Sequence, residues 1–175
     1  NSDYIFEKYL KDAHLNFKMD ANQGKQRDAL RDKAKAVTKK RQDNYIEGRL
    51  GMVIDGTGKD YGKITSDASR LKQIGYDVHM IFVNTSLDVA LERNKQRPRS
   101  VPEDIVKTSW NQVQSNIGKF QSFFGPKNFI IVDNNDVGDD VFDMVGTQVR
   151  KMLSRKVDNF IAKAWIAREL RLKKR

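Results

Sequence analysis

Three arginines fall within seven residues, Arg93, Arg97 and Arg99 in R-N-K-Q-R-P-R, and Asp or Asn closes three apolar runs, at Asp55-Gly56-Thr57, Asn84-Thr85 and Asp133-Asn134. Such a set suits phosphate chemistry. A guanidinium grips phosphoryl oxygens with a planar fork, and a carboxylate orients or deprotonates an acceptor hydroxyl. Each feature also has a plainer reading. Arginine runs are usually solvated faces, and an Asp-Gly pair after an apolar run is an ordinary turn.

Positioning these residues requires strand ends, and the sequence offers three. Leu50–Ile54 is an apolar run with β-branched residues closed by Asp55 to Gly58, so it reads as a buried strand ending in a polar turn. Residues 76–83 read as a second strand ending at Asn84-Thr85-Ser86, and Phe129–Val132 as a third. Helical spacing fills the intervals: a long polar helix from Gln23 to Ile46 stopped by Gly48, another over Ile64–Ile74 stopped by Gly75, one from Leu87 to about Lys95 and one from Pro102 to Phe124. Asp3 has the place of a helix cap. Alternating strands and helices give an α/β fold with a mainly parallel sheet, and ligands of such sheets bind beyond the carboxyl ends of the strands.

Composition narrows the classes. The chain of 175 residues has no cysteine and two histidines, His14 and His79, which excludes a disulfide scaffold and a Cys/His zinc site. A reducing, cytoplasmic setting fits, and the apolar runs are too short to span a membrane. The net charge is +10, and residues 150–175 hold 10 basic against 2 acidic side chains. A basic amphipathic extension over 136–175, following a core over 1–135, therefore suggests nucleic acid or an acidic protein as a partner; a solvated helix face explains the same charge.

The succession N-S-D-Y, M-V-I-D-G-T-G-K, L-K-Q-I-G-Y-D-V-H-M-I-F-V, A-L-E-R-N-K-Q-R-P-R-S-V-P and I-I-V-D-N-N resembles the zeta-toxin-like and polynucleotide-kinase-like P-loop kinases, some of them phage-encoded. The resemblance implies a three-layer α/β kinase fold that moves the γ-phosphate of ATP, with Mg²⁺, to a hydroxyl of a nucleotide, nucleotide-sugar or polynucleotide end. It assigns Asp3 as the base on the acceptor hydroxyl and Arg93, Arg97 and Arg99 as the phosphate-clamping lid. Asp55, Thr57 and Lys59 match the acceptor side, with Asp55 also near the metal, and Asn134 lies near the adenine position. The alternative is a kinase-like scaffold without catalysis that binds nucleic acid or an acidic protein through its basic C-terminal helix.

One motif departs from the pattern. The phosphate loop G-x-x-x-x-G-K-[ST] occurs nowhere in these residues, and in the resembled family it precedes N-x-D by a few tens of residues, ahead of position 1. The sheet is therefore expected to be incomplete. A gap of two strand spacings, about 9 to 10 Å, is expected between Leu50–Ile54 and the strand of Ile81, with direct pairing of the two as the second choice.

Overall fold

A computed structural model of the chain describes residues 2–17, 23–136 and 138–174. Helices α1 (Asp3–Asp12), α2 (Gly24–Glu47) and α3 (Tyr61–Gln73) come first, followed by strand β1 (Met80–Asn84) and helices α4 (Leu87–Gln96) and α5 (Glu103–Phe124). Strand β2 (Phe129–Asp133) and helices α6 (Asp139–Leu153) and α7 (Phe160–Lys173) complete the order. The result is a helix-rich α/β chain with a small parallel sheet. It divides into two compact units, one of residues 1–57 and 91–105, the other of residues 58–90 and 106–175.

In the first unit α1 packs on α2. Ile5, Phe6 and Leu10 recur on one face of α1 and bury themselves with Ala34 of α2, while Leu30 and Val37 widen the contact. The rest of α2 is polar, so a narrow stripe is all it offers. Charge is used to close the packing: Arg31 sits over the Phe6 ring at 5.4 Å and Lys33 over Tyr9 at 4.9 Å. The buried Arg27 donates to the Asn16 and Phe17 carbonyls after α1.

The second unit is built on aromatic rings. Phe120 of α5 is fully buried, with Tyr61 at 5.2 Å and Phe82 and Phe124 at 6.4 Å between centroids. Strands β1 and β2 pair in parallel, from Met80 opposite Phe129 to Asn84 opposite Asp133. Helix α3 begins on the Asp60 carboxylate, which accepts from the Lys63 backbone N–H at 2.9 Å. Gly75 follows its last turn, where φ is +103° and a Cβ would lie 3.0 Å from the Ala162 nitrogen, so only glycine fits without strain.

The helices lie where periodicity placed them, within a few residues at each end. The first expected strand does not form. Residues 50–58 carry no regular structure, and Val53 is 96% exposed. A β-branched run becomes a strand only beside a neighbouring strand, and the sheet among the described residues consists of β1 and β2 alone. Neither the expected gap nor direct pairing with β1 therefore applies, because there is no strand at 50–54 to measure from. The second strand also starts later than expected, at Met80.

Candidate functional site

Asp3 is the first residue of α1, so its side chain stands at the start of the helix with Glu7 one turn further along the same face. Arg99 reaches both. Its Nη2 lies 3.3 Å from Asp3 Oδ1, and its Nε lies 3.6 Å from Glu7 Oε1. The second distance is an ion-pair contact rather than a hydrogen bond, and the buried Nε has no hydrogen-bond partner. Arg99 also stacks over Phe6 at 5.8 Å, which leaves its side chain 21% exposed against 45% for Asp3. A cation held by an aromatic face thus bridges two carboxylates that are each partly exposed.

The loop that presents Arg99 is itself tied. The Asn94 amide donates to the Val101 carbonyl at 2.8 Å, and its oxygen accepts from the Val101 N–H at 3.0 Å. Lys95 and Glu103 pair across the same loop at 3.0 Å. These contacts close the R-P-R segment around Pro98. Arg97 is exposed and Arg93 half-buried. Asn94 escaped the sequence reading because an Asn before a proline loop looks like one more loop residue.

Asp55 and Thr57 lie on the exposed stretch before α3 rather than at a strand end. Lys59, in the second unit, is exposed, but its carbonyl and that of Gly58 accept from the buried Asn116 amide at 2.9 and 3.2 Å. Gly58 has φ +77° and faces Phe82 and Val113. Asn116 therefore fixes the entry to α3 from the middle of α5, a role that its polar type in an amphipathic helix did not announce.

Asn134 stands at the carboxyl end of β2, where it extends the ladder by donating to the Asn84 carbonyl at 2.8 Å. Around it Gln114 donates to the Asn84 side chain, Asn135 accepts from the Ser86 N–H, and Trp110 donates to the Thr85 carbonyl. Polar groups thus gather beyond the strand ends, as the α/β rule requires. Asn1 of N-S-D-Y lies outside the described residues.

Mg²⁺ and ATP need more than these residues supply. No three His, Cys, Asp or Glu side chains converge on a metal position among the described residues, and Asp55 stands exposed on irregular chain. The sequence also lacks a loop of backbone amides and lysine for the β- and γ-phosphates. Among the described residues no helix is long and apolar enough to cross a membrane.

No curated protein and no solved structure matches the chain. The family model described as Zeta toxin matches residues 5–140, over three quarters of the sequence. That family comprises P-loop kinase-like phosphotransferases, which generally use ATP and Mg²⁺. The helix-rich α/β structure with its parallel strands agrees with it, and the chain belongs to the zeta toxin family.

Proposed function

We propose that this chain carries the acceptor-activating residues and the arginine lid of a kinase that moves the ATP γ-phosphoryl group to a hydroxyl on a nucleotide, nucleotide-sugar or polynucleotide end. The observation that supports this most is the bridge from Arg99 to Asp3 and Glu7. Asp3 accepts the proton of the acceptor hydroxyl, and Arg99 keeps the carboxylate oriented. Arg93 and Arg97 supply further positive charge for the transferred group. Asp55, Thr57 and Lys59 would serve the acceptor side, Asp55 would help to hold Mg²⁺ only together with ligands that these residues do not supply, and Asn134 would serve the adenine side. A three-layer kinase core over 1–135 would need a phosphate loop, which these 175 residues do not contain. The roles of Asp3 and Arg99 concern the acceptor: they orient it and take its proton.

A second reading rests on α7, which has no buried residue and closes a segment with 10 basic side chains. There residues 136–175 act as a basic arm for nucleic acid or an acidic protein. The two readings separate in one assay. A polypeptide with a phosphate loop ahead of residue 1 is given γ-labelled ATP and three acceptors: a 5′-hydroxyl oligonucleotide, a nucleoside and a nucleotide-sugar. Label is expected on one of them. Bound ATP without transfer to any acceptor, together with oligonucleotide affinity that falls steeply with salt, would favour the basic arm.

A further inference from the structure

At the amino ends of β1 and β2, away from the polar cluster at their carboxyl ends, a cleft of about 460 Å³ opens beside the α6–α7 connection. That volume is in the range of small-ligand sites. Its charged lining is net positive. Lys72, Arg155 and Lys156 contribute three positive charges against Asp77 and Asp158, and Asp158 is already paired with Lys163 at 2.8 Å. Lys72 lies over the Phe123 ring at 4.7 Å, so an aromatic face rather than a carboxylate holds it in place. Arg155 is aimed before any ligand arrives: one nitrogen donates to the Asn128 side chain at 2.9 Å and another to the Lys127 carbonyl at 2.6 Å.

His79, immediately before β1, lines the same cleft. Its Nδ1 is shut off from solvent without a hydrogen-bond partner of good geometry, although the neighbouring Asn128 side chain favours the protonated ring. A buried polar atom left in this state commonly marks a missing water, ion or ligand. Tyr76, Val78 and Met152 complete the walls, giving an apolar bed beside a cationic rim.

We propose that this cleft is a binding site for a small phosphorylated molecule, whose phosphate oxygens engage Arg155, Lys72 and Lys156 while its body rests on Tyr76 and Met152. An arginine fixed in orientation by two hydrogen bonds offers its remaining N–H groups as a ready fork, which suits phosphate better than a monovalent anion. The site is independent of the transfer residues, so it stands or falls apart from the kinase reading.

His79 reports on it. Burial first, and then the charge of Arg155, hold its pKa below the ordinary value of 6.5, with Lys72 adding to the effect; Asp77 and Asn128 work the other way. The neutral ring is therefore favoured in the folded chain. Its contribution to stability is present above pH 6.5 and is lost as the pH falls below that value, because the unfolded chain then binds the proton more readily. A phosphate dianion in the cleft reverses the sign of the local field.

The test follows the two histidine rings by NMR in the 175-residue chain during titration with inorganic pyrophosphate at constant ionic strength. Saturable shifts of the His79 resonances are expected, with a rise in the His79 pKa and no change at His14. Arg155→Gln should weaken the pyrophosphate response at least tenfold. The exposed Lys156→Gln, which alters no packing, should weaken it severalfold and covers the case in which Arg155→Gln fails to fold. Non-saturable shifts, equal responses at both histidines, or a Lys156→Gln titration identical to the parent would overturn the proposal.

Discussion

Replacing Asp3 with Asn is expected to slow phosphoryl transfer by about 10²- to 10⁴-fold while leaving the chain folded, since that is the range a positioned general base contributes. The substitution is nearly isosteric. It keeps an oxygen that can accept from Arg99 but removes the basicity needed to take a proton. The accompanying loss in stability is small, because the Asp3–Arg99 pair is partly exposed at 3.3 Å and such pairs contribute about 0 to 1 kcal/mol. Rate and stability should therefore separate widely. The measurement is kcat at saturating acceptor, in a polypeptide with a phosphate loop ahead of residue 1, alongside a thermal melt. A rate within a few-fold of the parent would reduce Asp3 to the first residue of a helix and nothing more.

The largest effect on stability is expected at Phe120. Its ring is fully buried and meets Tyr61, Phe82 and Phe124, so it joins α3, β1 and both halves of the α5 contact in one cluster. Phe120→Ala removes the transferred apolar surface and leaves a cavity whose walls belong to three elements, which cannot collapse together. Such truncations cost about 3 to 5 kcal/mol. A domain's whole stability is about 5 to 15 kcal/mol, so the variant should be marginal or unfolded at room temperature. Urea denaturation followed by Trp110 and Trp165 fluorescence gives the value. A loss below about 1 kcal/mol would show that the second unit does not depend on this ring cluster.

The helices were legible because their apolar spacing and their stops are local. Gly48 and Gly75 mark ends that the structure confirms, and the polar run of α2 announces a narrow stripe that packs on α1. Strands depend on partners, which a local run of residues does not display. Leu50–Ile54 and Phe129–Val132 look alike as sequences, yet only the second has a neighbour, and the first stays exposed. The expectations for Asp55 and Thr57 leaned on that strand, so the structure leaves them on irregular chain. Asp3 and Arg99 were each picked out, but their meeting across 95 intervening residues and the involvement of Glu7 could not be read from spacing. Asn94 and Asn116 were missed for the opposite reason: each stabilises a loop through its amide, and one Asn among many gives no periodic signal.

The pairing of β1 with β2 also sets an order of events during folding. Met80 faces Phe129, and closing the intervening loop of 48 residues costs roughly 3 kcal/mol of chain entropy before any ladder bond repays it. Helix α5 needs contacts only three and four positions apart, and helices form in about a microsecond or less. Once formed, α5 shortens the effective loop and carries Phe120 to the place where Phe82 and Phe129 must arrive. The sheet on which the polar strand ends depend is thus the late product of the helices around it, and helical ellipticity should rise before tryptophan burial in a time-resolved refolding trace.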